Sequence, residues 1–123
     1  MITFNSSEGT LQLQPKLPPN WEGKRLPGSE AFSYSGGLGT LVLQTVEQPE
    51  FSLSFYHLQS HRSFSLFSPL LKGWHSVVSL RGRFPLYLFG EEHLLSDGQF
   101  LIFHGAGKDE VGITVPPAAN LEI

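Results

Sequence analysis

The stretch LLSDGQFLIFHGAGKDE, from Leu94 to Glu110, places one short apolar run between two segments of turn chemistry. A Ser-Asp-Gly turn leads into the run from Phe100 to Phe103, and His104 then opens a second, glycine-bearing turn. An apolar run with turn residues on both sides indicates a β-strand. The arrangement is typical of a small β-barrel that presents polar side chains at its mouth. The function of the chain therefore depends on whether those side chains bind a metal, a sugar or no ligand.

From Leu38 onward the same pattern repeats, since short apolar runs are separated by turn residues. In the run FSLSFYHL, Phe51, Leu53, Phe55 and His57 alternate with small or polar neighbours, which predicts a strand that points these four side chains inward. No segment keeps a helical period. About eight strands in a chain of this length predict an all-β sandwich or barrel. The runs are 38–46, 51–58, 62–68, 74–82, 84–90, 99–104 and 111–115.

Residues 1–37 differ from the rest because they are rich in Pro, Gly and Ser. Prolines remove backbone donors, so we expect an irregular N-terminal arm with one or two short edge strands, which Trp21 fixes to the core. Residues 38–123 form the β-domain, and the whole is one domain. The final residues AANLEI look like the start of another strand, so we expect a fragment of a longer protein.

Composition excludes several classes of function. With 123 residues, 40% of them hydrophobic, the chain can bury a core of its own. Its net charge of −3 and eight Lys plus Arg give no basic surface for nucleic acid or an anionic membrane. The chain has no cysteine, which excludes disulfides and thiolate chemistry. The N-terminus lacks a signal-peptide pattern and no run of about 18 apolar residues occurs, so we expect a cytoplasmic protein and no membrane.

The second half resembles the cupin jelly roll, and in particular the N-terminal sensory domains of AraC-type transcriptional regulators. Cupins carry an E(x6)G element and a G(x5)PxG(xx)H element. Here the first is matched by His75, six residues and Gly82, with histidine in the place of the carboxylate. The second is matched by Gly98, QFLIF and then His104, with Asp109 near the place of the final histidine. The pattern SYSGGLGTLVLQTVEQPEFSLSFYHLQ at 33–59 is similar to the opening of the AraC-type domains.

The resemblance implies a cupin-like jelly roll that senses a ligand, dimerises, or does both, without a cofactor. The expected partners are a small-molecule effector such as a sugar and a second copy of the chain in a homodimer. DNA would be bound only through a C-terminal helix-turn-helix domain that is missing from this sequence.

A metal site is not expected, although the chain has five histidines. Metal-binding cupins use three His and one Glu, and here the paired HxH and the final histidine are absent. His57 and His61 are four residues apart, which on a strand is roughly 13 Å. Nitrogen ligands lie about 2 Å from a metal, so these two histidines cannot share one ion.

The expected ligand site is the barrel interior, with aromatic walls and a few polar groups that suit a small amphipathic molecule. The face of His75 stays open, because the two alternating sets of residues around it are about equally apolar. For each residue taken singly, a role in the core or at the rim is the commoner alternative. The candidate ligand-binding residues are His57, Trp74, His75, Tyr87 and His104.

No pattern in the sequence predicts catalysis. No serine lies in a GxSxG turn, and GGLGTL at 36–41 lacks the Lys-Ser/Thr of a phosphate loop. The alternative function is a small metal-dependent cupin enzyme of the sugar isomerase or dioxygenase type, which a bound metal would reveal. A third class, a free-standing carbohydrate-binding module, would need a secretion signal.

Overall fold

The computed structural model describes residues 2–19 and 21–123, which form twelve strands and no helix. The predicted all-β class is confirmed. The strands are β1 (Ile2–Ser6), β2 (Gly9–Leu13), β3 (Glu30–Gly36), β4 (Gly39–Glu47), β5 (Ser52–Ser60), β6 (Phe64–Leu70), β7 (Gly73–Val78), β8 (Phe84–Leu88), β9 (Glu91–Leu95), β10 (Phe100–Gly105), β11 (Asp109–Val115) and β12 (Asn120–Glu122).

The strands form three antiparallel sheets. A six-stranded sheet has the order β2-β1-β6-β11-β8-β9, and a four-stranded sheet has the order β12-β5-β4-β3. Strands β7 and β10 form a two-stranded ribbon. Two isolated bridges join the sheets, one between Gln14 and Ser33 and one between Arg81 and Glu122.

The main core lies between the six-stranded and the four-stranded sheet. Leu13, Leu66 and Phe84 of the first sheet and Leu41 and Leu58 of the second are almost fully buried there. A smaller cluster of Leu70, Leu88 and Phe103 fastens the ribbon to the six-stranded sheet. Burial of these apolar side chains is the main source of stability for the sandwich.

The second face of the four-stranded sheet is covered by an irregular segment, residues 15–19 and 21–29, which we call the arm segment. Gln14 and Ser33 exchange two backbone hydrogen bonds of 2.7 and 2.8 Å where this segment begins. Gln44, a buried side chain of β4, accepts a hydrogen bond from Leu26 N and donates one to Lys24 O, both at 2.7 Å. The irregular part is thus shorter than residues 1–37, because β1, β2 and β3 are regular members of the two large sheets.

The inward face predicted for β5 is wrong. Phe51 and Leu53 are 57% and 50% exposed, whereas Tyr56 and Leu58 face the main core. His57 is buried, but on the opposite face, under the arm segment. The register explains the error: Leu58 lies beside Leu41 and Leu121, so the apolar layer forms across three strands on that face.

Strand β9 is not among the runs predicted from the sequence, which leave residues 91–98 between the runs 84–90 and 99–104. The turn comes earlier, at Phe89 and Gly90, both with positive φ, and Glu91 already pairs with Leu88. Strand β9 is an edge strand, where exposed charged side chains are common. Across residues 2–19 and 21–123, no helix of the length and apolar character needed to cross a membrane is found.

Candidate ligand-binding cleft

The five residues predicted to bind ligand do not converge on one interior. Trp74 and His104 are cross-strand neighbours on the outer face of the ribbon, with ring centroids 5.1 Å apart, and Trp74 is 75% exposed. Tyr87 is exposed on the outer face of the six-stranded sheet, beside Gly112. His57 lies under the arm segment. Only His75 lines a sizeable cleft.

That cleft, of about 660 Å³, lies between β5 of the four-stranded sheet and β7 of the ribbon. One wall is formed by residues 52–56 and the other by residues 75–78 and Leu80. Ile123 and Leu26 complete the lining. Its volume is within the range of sites that hold small organic ligands.

The lining combines an apolar surface with a few neutral polar groups. Hydroxyl groups come from Ser52, Ser54 and Tyr56, and an imidazole comes from His75. Burial raises the pKa of Tyr56 above its usual value, and a hydrogen bond with the Ser54 side chain acts in the opposite direction. The phenol therefore stays protonated at neutral pH and can donate a hydrogen bond. The lining residues include no Lys, Arg, Asp or Glu, which favours an uncharged ligand.

His75 is held firmly at the cleft wall. Its Nε2 lies 2.7 Å from the Leu71 carbonyl oxygen, which requires a proton on Nε2. Its ring stacks on Phe103 at 5.6 Å between centroids and 16° between planes. The structure thus decides the face that the sequence left open, since His75 and Val77 point toward the apolar cluster while Trp74 and Ser76 point outward.

A second set of polar groups lies under the arm segment, around the carboxylate of Glu122. Glu122 is 5% exposed, and its oxygens lie 3.3 Å from Lys24 Nζ, 3.4 Å from Arg81 Nη2 and 3.8 Å from His57 Nδ1. We call these four residues the Glu122 cluster. Lys24 comes from the arm segment, His57 from β5, and Arg81 from the chain after β7, so the buried carboxylate joins three parts of the fold.

The surroundings of His57 keep its imidazole neutral. Burial lowers the pKa of His57 below its usual value, Glu122 acts against this shift, and Arg81 adds to it. The ring of Trp21 stands edge-on to the imidazole at 5.0 Å. The distance of 3.8 Å to Glu122 is too long for a hydrogen bond, so His57 packs beside the carboxylate rather than binding it.

The described residues bring no group of three or more His, Asp or Glu side chains together in a way that could hold a metal ion. Glu122 is surrounded by cationic side chains and one histidine, which is not a set of metal ligands.

Sequence interpretation missed Tyr56, Ser54 and Glu122. The alternation in β5 predicts Tyr56 and Ser54 on the solvent face, because Phe51, Leu53 and Phe55 make the other face the more apolar one. Glu122 gave no signal, since an acidic residue in a short apolar run is most often exposed. The burial of Glu122 follows only from its pairing with β5 and with Arg81 in the folded structure.

Comparison with protein-family models, with curated proteins and with solved structures found no match to this chain. The fold defines the class of the molecule as an antiparallel β-sandwich with an attached two-stranded ribbon. A cleft without charged side chains lies between the sandwich and the ribbon.

Proposed function

We propose that this chain is the metal-free ligand-binding and dimerising domain of an AraC-type transcription regulator, and not an enzyme. The observation that carries the proposal is the cleft between β5 and β7, whose volume and lining suit one small uncharged molecule. The resemblance of the motifs at 75–82 and 98–109 to cupin sensory domains supports the choice of class.

The ligand is a small amphipathic molecule with hydroxyl or amide groups, of which a sugar is one example. It would meet the hydroxyls of Ser54 and Tyr56 on one wall and the apolar side chain of Val77 on the other. A regulator of this class acts in the cytoplasm, and a separate helix-turn-helix domain contacts DNA.

The dimerising role is supported by the outer face of the ribbon. Trp74, Phe100 and Ile102 are 75%, 58% and 63% exposed, and the pairs Trp74–His104, Ser76–Ile102 and Val78–Phe100 place them on one face. The six residues of that face include no Lys, Arg, Asp or Glu, so two copies could pack there without placing like charges opposite each other.

The enzyme alternative, a metal-dependent sugar isomerase or dioxygenase, has no comparable support. It needs three or four ligands around one ion, and the histidines at 57, 75 and 104 lie under the arm segment, in the cleft wall and on the outer ribbon face.

The test is a thermal-shift screen of neutral sugars, polyols and amides on the wild type and on Ser54→Phe. Ser54 is exposed in the cleft, so phenylalanine fills the ligand space without removing a core side chain. The matched control is Thr3→Phe, on an exposed position of β1 away from the cleft. A ligand at about 100 times its Kd stabilises the folded state by about 2.7 kcal/mol. We expect that response in the wild type and the control and its loss in Ser54→Phe; an equal response in all three places the ligand elsewhere.

A further inference from the structure

A groove lies between the facing edges of β2 and β3, and we propose that it binds the C-terminal segment of a partner protein as an extended strand. The carboxylate that ends the partner chain pairs with Lys16. This site is separate from the cleft between β5 and β7, so it adds a protein partner to the function proposed above.

The groove begins where one pair of residues joins the two large sheets. Gln14 N donates to Ser33 O at 2.7 Å, and Ser33 N donates to Gln14 O at 2.8 Å, in an antiparallel bridge. Beyond this bridge no ladder joins β2 to β3. The gap has a volume of about 620 Å³ and is lined from both strands, by residues 10–12 and 14 and by residues 33–35. The groove is therefore closed at the bridge and widens away from it.

Both edges turn backbone donors and acceptors into the groove. In an antiparallel ladder, every second residue turns its N–H and C=O to the same edge. Gln12 lies two residues from Gln14 and therefore turns its groups toward β3. Ser35 lies two residues from Ser33 and turns its groups toward β2. Strands β1 and β4 occupy the other edges, and no described strand pairs with Gln12 or Ser35 on the groove side. An added backbone would thus find unpaired groups on both walls.

The floor and the rim of the groove differ in polarity. Leu11 and Tyr34 belong to the main core and form an apolar floor. Gln12 and Gln14 are exposed at the rim. Side chains of an added strand alternate between its two faces, so every second one would contact the floor and should be small and apolar.

Lys16 determines the direction of the bound strand. Its backbone N donates to Gln14 O at 2.8 Å and its carbonyl oxygen accepts from Ser33 Oγ at 2.7 Å, which holds it at the closed end. Among the described residues that line the groove, Lys16 alone has a charged side chain. Strand β3 runs away from the bridge, so a strand antiparallel to β3 ends at the bridge. Its terminal carboxylate then pairs with the Lys16 ammonium, whereas the reverse direction would place an N-terminal ammonium there.

The test uses the tetrapeptide acetyl-Ser-Val-Ser-Val with a free C-terminal carboxylate, since the β2 wall from Thr10 to Gln14 spans about 13 Å, or about four residues. The matched probe is the same peptide with a C-terminal amide. The measurement is amide hydrogen exchange of the wild-type protein at millimolar peptide. We expect exchange at Gln12 and Ser35 to be fast in the free protein, to slow about tenfold with the carboxylate peptide, and to slow less with the amide. Protection of these two amides before peptide is added, no slowing with the carboxylate peptide, or equal slowing by both peptides would overturn the proposal.

A variant of Lys16 tests the pairing with the carboxylate. Lys16→Gln keeps the backbone hydrogen bonds at the closed end and removes the charge, so the two peptides should slow exchange equally. The control is Lys72→Gln, at an exposed position in the turn between β6 and β7, which should keep the wild-type preference. A preference for the carboxylate peptide that persists in Lys16→Gln would overturn the role of Lys16.

Discussion

At the scale of single residues, the most consequential side chain is Glu122, because its buried carboxylate joins strand β12 to the arm segment and to the chain after β7. Lys24 and Arg81 are themselves more than half exposed, so each ion pair with Glu122 is partly screened by solvent. The carboxylate is nevertheless buried, and a charge in that position depends on its partners.

Replacing Glu122 with Gln should destabilise the fold by about 1–2 kcal/mol, since it leaves Arg81 and Lys24 without the countercharge while keeping the side-chain size. Urea unfolding measures the change. Glu110→Gln is the control, on an exposed position of β11, and should leave the midpoint unchanged. A loss of similar size in both variants would show that net charge, and not the Glu122 cluster, is responsible.

His57 gives the protein a stability that depends on pH. Its pKa in the folded state is below the 6.5 of the unfolded chain, mainly through burial. As the pH falls, the unfolded chain therefore takes up the proton first. The stabilisation that comes from a neutral His57 is fully present above about pH 6.5 and is lost as the pH falls through the folded-state pKa. The groups facing His57 are Glu122, Arg81 and the ring of Trp21.

The measurement is the urea midpoint at pH 7.5 and 5.5 for the wild type, His57→Gln and the exposed control His61→Gln. We expect the urea midpoint to fall less between pH 7.5 and pH 5.5 in His57→Gln than in the other two proteins. The same loss in all three would assign the acid sensitivity to other groups.

At the scale of elements, the arm segment covers one face of the four-stranded sheet and is held there by buried polar side chains. Four of the six buried polar residues of the described chain lie on the sheet face that the segment covers, namely Ser33, Gln44, His57 and Glu122. Ser33 Oγ donates to Lys16 O at 2.7 Å, and Gln44 bonds the backbone at Leu26 and Lys24. Because the segment has no regular strand, side chains of β3 and β4 satisfy its backbone.

Replacing Gln44 with Leu should loosen the arm segment, since Leu26 N and Lys24 O then lose their hydrogen bonds at a cost of about 1–3 kcal/mol. Limited trypsin digestion should cut faster after Lys16, Lys24 and Arg25 than in the wild type. Gln59→Leu, at an exposed position of β5, is the control. Unchanged cleavage in Gln44→Leu would mean that other contacts hold the segment.

At the scale of the whole molecule, the ribbon β7–β10 stands apart from the sandwich, with its inner face on a small apolar cluster and its outer face bare. Exposed apolar faces of this kind mark interaction surfaces in many proteins.

The dimer proposal predicts a concentration-dependent dimer of the wild-type protein in sedimentation equilibrium. The double variant Trp74→Ser with Ile102→Ser should be monomeric, because it removes the two most exposed apolar side chains of that face. The control is Leu94→Ser, an exposed leucine of β9 outside the ribbon, which should still dimerise. A monomeric wild type at all concentrations would contradict the proposal.

The sequence by itself determined the all-β class, since turn residues between short alternating runs leave no room for a helical period, and this depends on local chemistry alone. Which face of β5 became the core was decided only by tertiary structure, because Tyr56 and Leu58 gain their burial from Leu41 and Leu121 on neighbouring strands. The same holds for the candidate site. The cleft is a gap between two edges that lie more than 15 positions apart in the chain, and the burial of Glu122 follows from pairings with β5 and Arg81 that no local pattern encodes.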